Sequence, residues 1–166
     1  ERGFFFFFIT KMSTKLDNKK WIVENYDGNK EIKVTVEKGQ SVYIYNVKDS
    51  VVQITGKIAV LSCDKVTGSG VVFESAIGSA EVVNSKKLQL QGSAPQYVVD
   101  KSEGVTLYLK PEDRKSSVTH SLATEINIIV LEGDDPKESP VPSQFVTEWS
   151  EEKKDWVTHS LDHVGA

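Results

Sequence analysis

The chain has 166 residues, 39% of them hydrophobic, which is enough for the core of one domain. Its 20 basic and 24 acidic residues give a formal net charge of −4 and are scattered along the sequence, which argues against a polybasic surface for nucleic acid or membrane. Arginine occurs only as Arg2 and Arg114, too few for bidentate phosphate clamps or an arginine finger, and the single cysteine, Cys63, forms no intramolecular disulfide, as expected in a reducing compartment.

Glu1-Arg2-Gly3 is followed by five phenylalanines, at positions 4–8. The run has no amphipathic period, is too short to span a membrane and is too aromatic for an ordinary signal segment. Met12-Ser13-Thr14-Lys15 reads as a cytosolic start, so residues 1–11 read as an addition ahead of it; a membrane or partner anchor is the competing reading. Residues 1–20 together are expected to be a lead-in without ordered structure.

Trp21-Ile22-Val23 opens an apolar alternation that resumes after Asp27-Gly28 as Ile32-Lys33-Val34-Thr35-Val36. This predicts a first coil whose open end is capped by Trp21. Between residues 42 and 130 a pattern then recurs, with polar corners at Asn46, Lys65, Asn84 and Lys101, at intervals of 19, 19 and 17 residues. Two residues before each corner stands Ile44, Cys63, Val82 or Val99; six residues after it stands Val52, Val71, Leu90 or Leu107. Ile58 and Ile77, nineteen apart, are expected to mark a third side. One coil of this kind cannot bury its own apolar side, but stacked coils bury a continuous column. Residues 21–131 are therefore expected to form an all-β, parallel β-helix of about six short coils. A β-sandwich also gives short strands with frequent turns, but Asn-Gly and Asp-Gly hairpin turns are missing from the repeat.

Residues 110–117 read as a charged loop before a last coil built on Glu125-Ile126-Asn127-Ile128-Ile129-Val130. Residues 132–143 hold three of the five prolines and read as an extended linker. In residues 144–166, two alternating segments flank the charged turn 150–155, a hairpin signature followed by a tail. A lone hairpin is marginal in water and must dock on something, with Phe145, Trp149 and Trp156 as its buried contacts. On a proline-stiffened arm containing Pro140, Val141 and Pro142, it suggests strand exchange in a homodimer.

Motifs with catalytic meaning are weak. Gly68-Ser69-Gly70 lacks the following helix and Lys-Ser/Thr of a phosphate loop and reads as a corner. Cys63 sits in an apolar column and reads as a structural thiol. His159 and His163 would form a metal pair only on a helix, and the segment reads as strand and tail. Asp49, Asp64, Glu81 and Asp100 are single carboxylates, so a polysaccharide-cleaving β-helix has no carboxylate pair to work with. No catalytic residue, metal site or cofactor is expected.

Lys19-Lys20-Trp21, Val42-Tyr43-Ile44-Tyr45, Gly56-Lys57-Ile58, Val71-Val72-Phe73, Val82-Val83-Asn84-Ser85-Lys86, Pro140-Val141-Pro142-Ser143-Gln144-Phe145 and Val164-Gly165 carry a resemblance through their order and spacing. The chain resembles the C-terminal domain of cyclase-associated proteins, the β-helix often called the CARP domain. The resemblance implies a right-handed β-helix that dimerises by exchanging C-terminal hairpins. It also implies binding of monomeric ADP-actin and promotion of its nucleotide exchange, in the cytoplasm and at the cytoskeleton. Such a module acts on its partner's nucleotide affinity and needs no nucleotide pocket. The implied actin contacts are Lys65, Asn84, Ser85 and Lys86 on an outer face, with the tail Leu161, Asp162, His163, Val164 and Gly165. The structural alternative is a GTPase activator like tubulin cofactor C, which needs an outward arginine on a coil strand; Arg114 lies in a loop.

Overall fold

Six coils are stacked in register, and the reason is visible in the pairing of their apolar columns. The computed structural model describes residues 11–161. Coil one consists of β2 (Lys20–Glu24) and β3 (Ile32–Thr35), preceded by β1 (Ser13–Asp17); coil two is β4 (Ser41–Lys48) and β5 (Val51–Ile58). A single long strand, β6 (Leu61–Ala76), makes the third coil, followed by β7 (Ser79–Val83) with β8 (Lys86–Ser93), and β9 (Gln96–Asp100) with β10 (Glu103–Leu109). The sixth is β11 (Ser117–Ser121) and β12 (Asn127–Val130).

Two parallel stacks result, joined through β6. Along the first, Val23, Ile44, Cys63, Val82 and Val99 lie directly over one another. Along the second, Ile32, Val52, Val71, Leu90, Leu107 and Ile128 do so. All but Ile128 are buried, and Ile128 packs against the same core. Each fully buried Val, Ile or Leu contributes about 1.5–3 kcal/mol relative to exposure, so the columns are the main driving force for stacking.

The corners are built from paired left-handed residues three positions apart. Asn46 and Asp49, Lys65 and Gly68, Asn84 and Lys87, Lys101 and Gly104, and Leu122 and Glu125 all have φ between +46° and +70°. Asparagine, aspartate and glycine visit this region readily, whereas lysine and leucine do so at some cost, which the stacking on either side sustains. Just inside these turns sits a set of buried serines that the apolar pattern does not reveal. Ser50, Ser69, Ser85 and Ser102 occupy positions filled elsewhere by Val47, Val66, Leu88 and Val105. Each hydroxyl donates to the carbonyl two residues earlier and accepts a backbone N–H from the preceding coil, as when Ser85 Oγ binds Val83 O at 2.8 Å and takes Val66 N–H at 3.1 Å. The ladder satisfies amides that the turn removes from the strand pairing.

Several expectations need correction at the edges of the repeat. Residues 13–17 are not an unstructured lead-in: β1 folds back antiparallel on β2, matching Leu16 with Trp21. Trp21 does pack against the core, its indole N–H donating to Gln40 Oε1 at 2.8 Å. Ile77 is 53% exposed, and the buried position opposite Ile58 belongs to Ala76. The cause is a bulge between Ile54 and Lys57, where Gly56 at φ +102° lies so close to Val36 O that a β-carbon would stand 2.7 Å from it. The charged loop contains a 3-10 helix, Pro111–Lys115, and the proline-rich linker is partly a strand: β13 (Lys137–Pro140) pairs antiparallel with β12.

The last two strands, β14 (Phe145–Ser150) and β15 (Asp155–Ser160), form their own antiparallel sheet. Within one chain their aromatics are not buried. Phe145 is 54%, Trp149 48% and Trp156 64% exposed. Trp149 and Trp156 face one another across the strands, edge to face at 6.0 Å.

Candidate functional site

The outward face of the first stack gathers two of the residues expected from the sequence around three that were not. Alternation in β4 turns Val42 and Ile44 inward and therefore Tyr43 and Tyr45 outward. Their rings stack at 6.0 Å with only 10° between planes. Lys20 Nζ lies 5.9 Å from the Tyr43 ring centre and Lys65 Nζ 5.5 Å from that of Tyr45, so an ammonium flanks the aromatic pair on either side. Asp64, on the next coil, ties the group together. Its Oδ2 accepts from the Tyr43 hydroxyl at 3.2 Å and its Oδ1 from Asn84 Nδ2 at 3.1 Å. Partial burial, and then the hydrogen bond to Asp64, raise the Tyr43 phenol above its ordinary pKa.

Lys65 and Asn84 are thus placed together beside a tyrosine pair. Their left-handed backbone throws the side chains out of the coil, which is why a corner column can serve as a contact strip. Ser85 does not belong there: it is wholly buried, and its hydroxyl is spent on the serine ladder. Lys86 stands at the surface opposite Glu103, 3.6 Å away, both side chains being mostly exposed. Tyr43, Tyr45 and Asp64 were missed because they look like ordinary outward strand residues. The available signal was the Tyr-x-Tyr spacing, which places two rings on one face of one strand.

The remaining residues fall elsewhere. Pro140 and Pro142 are exposed, whereas Val141 packs on the core, its N–H bonded to Ile126 O. Leu161 is exposed at the end of the hairpin, with its N–H on Gln144 O at 3.0 Å; Asp162, His163, Val164 and Gly165 lie outside the described residues. His159 faces Glu148 across the hairpin at 3.8 Å. Arg114 sits in the 3-10 helix and is held by Glu132. Burial pushes the Cys63 thiol up to about 12, which suits a core side chain and not a nucleophile. Among the described residues no group of three or more His, Cys, Asp or Glu side chains converges on a metal position. None of their helices is long and apolar enough to cross a membrane.

Stacked parallel coils, an outward aromatic pair and a separate two-stranded hairpin define a β-solenoid. The family described as "Adenylate cyclase associated (CAP) C terminal" matches residues 10–163, and the chain belongs to that family. It is 38% identical over 154 residues to cyclase-associated protein 1 of Arabidopsis thaliana, which covers 89% of this chain and 32% of that protein. It is 34% identical over 142 residues to adenylyl cyclase-associated protein 2 of Rattus norvegicus, covering 84% of the chain and 30% of the relative. The chain thus spans about a third of the length of these relatives. The crystal structure of cyclase-associated protein from Cryptosporidium parvum superposes with a TM-score of 0.82 at 25% identity, covering 91% of this chain and 96% of that one.

Proposed function

We propose that this module binds monomeric actin, preferring the ADP-bound form, and promotes exchange of its nucleotide in support of filament turnover. The family match over residues 10–163 carries the reading. The contact surface we assign is the outward face of the first stack, formed by Tyr43, Tyr45, Asp64, Lys65 and Asn84, with Lys86 at its margin and the tail from Leu161 to Gly165 as a second contact. Aromatic rings fixed by hydrogen bonds and stacking lose little entropy on docking, which suits a contact surface. Exchange follows if the face holds the open or nucleotide-free state of actin more tightly than the ADP state, because only differential affinity shifts an equilibrium.

The acting species in this reading is a homodimer in the cytoplasm, formed by exchange of β14 and β15. Support comes from the hairpin itself: a two-stranded sheet is marginal alone, and this one offers Phe145, Trp149 and Trp156 to solvent. Pro140, Val141 and Pro142 form the arm that delivers it. Release of a fluorescent nucleotide from ADP-actin tests the function. Acceleration is expected, and an unchanged rate at saturating protein would sink the proposal. Light scattering tests the dimer: removal of residues from Ser139 onward should give the monomer mass, and a persisting dimer contradicts exchange.

A further inference from the structure

A hollow of about 440 Å³ opens on the outer side of the second stack, beside the 3-10 helix. Its floor is kept low by Gly92, against whose bare backbone the Phe73 ring lies; a β-carbon there would come within 2.5 Å of the ring. Tyr108 from β10 and Leu131 beyond β12 complete the apolar wall. The polar part of the lining is Glu74, Gln91, Lys110 and Asp113. Asp113 is buried, and its Oδ2 accepts both the Ser93 hydroxyl and the Lys110 backbone N–H at 3.0 Å. Its Oδ1 takes no hydrogen bond from the described residues. Glu74 adds a second carboxylate, against the single ammonium of Lys110. Arg114, the nearby guanidinium in the sequence, is engaged by Glu132 and does not line the hollow.

We propose that this hollow receives an arginine side chain presented by an extended segment of a partner protein. Charge complementarity carries the assignment. Two carboxylates and one ammonium leave an excess negative charge, one of the carboxylates is fixed in place, and the walls offer a ring and aliphatic surface for the stem. A guanidinium matches this combination better than an ammonium, because it stacks on tyrosine while donating in its plane to carboxylates. The surroundings favour a peptide over a free amine. Gln53, Val72, Gln89 and Thr106 continue the same outward face without a charge, so flanking residues can lie flat with no ion to desolvate. The site is independent of the actin reading, being built on the other stack from Tyr43 and Tyr45.

The test is a titration of the isotopically labelled full chain with a capped Ser-Arg-Ser peptide, followed through its backbone amide resonances. Gln91, Gly92, Tyr108 and Lys110 should shift, and the same peptide with citrulline, neutral but of the same shape, should bind at least tenfold more weakly. E74Q and D113N should each weaken the arginine peptide several-fold; if D113N fails to fold because Asp113 caps the 3-10 helix, E74Q alone decides. Equal binding of the citrulline peptide, unchanged affinity in E74Q, or shifts confined to other faces would overturn the proposal. So would argininamide binding as tightly as the peptide, because the hollow would then be a small-cation site.

Discussion

The solenoid and the hairpin are made of the same secondary structure and obey opposite rules. In the solenoid every strand has a neighbour on at least one side in fixed register, and its inward apolar columns reach almost complete burial. In the hairpin two strands pair only with each other and the largest side chains stay in solvent. One part is stable by repetition within the chain; the other, in the dimer we propose, is completed by a second copy. A mutation in the first should therefore read out as lost stability, and one in the second as lost association.

Four substitutions or conditions sharpen that contrast, from the largest effect downward. Leu90→Ala removes a wholly buried side chain from the middle of a column and should cost about 2–5 kcal/mol, seen as a fall in the thermal midpoint. A loss under about 1 kcal/mol would mean the coils slip to fill the space. Ser85→Ala takes the acceptor from Val66 N–H inside the corner and should cost about 1–3 kcal/mol by chemical denaturation, more than an exposed serine could.

High pH should weaken the solenoid too. Burial pushes Cys63 and Tyr97 up to about 12, and both keep their protons in the fold while the unfolded chain releases them near 9 and 10. Their contribution is full below about pH 9 and is lost as pH climbs to about 12. The denaturation midpoint should fall over that window, and a C63A/Y97F double variant should flatten the slope. By contrast, Trp156→Ala should move the solenoid's thermal midpoint by less than about 0.5 kcal/mol equivalent, as a surface change does, while shifting the monomer–dimer balance toward monomer in sedimentation.

How much of this was legible follows from the same physics. The columns could be read because strand stacking forces a fixed register, so Ile44, Cys63, Val82 and Val99 had to recur at nearly equal intervals, 19, 19 and 17 residues. The corners could be read for the complementary reason: Asn46, Lys65, Asn84 and Lys101 break the apolar run at the same phase. Ser85 was misplaced because a serine beside a corner looks like surface, and only the coil before it reveals that its hydroxyl is claimed by Val66 N–H. Ile77 was misplaced because a bulge at Gly56 changes the count by one, which periodicity read from a single sequence cannot detect. Tyr43 and Tyr45 needed three dimensions, since what joins them to Asn84 is Asp64 on the intervening coil.

β1 and β13 carry one more consequence. A pile of identical rungs is also a growth front, and end-to-end accretion into fibrils is its natural hazard. Here the chain blocks one lane at each end: β1 lies reversed on the first rung of one stack, and β13 lies reversed on the last rung of the other. A newcomer seeking to continue the parallel ladder meets only half of it, on β3 at the start or on β11 at the finish. Among the described residues, half a landing strip is left, a poorer template for runaway polymerisation than a whole one.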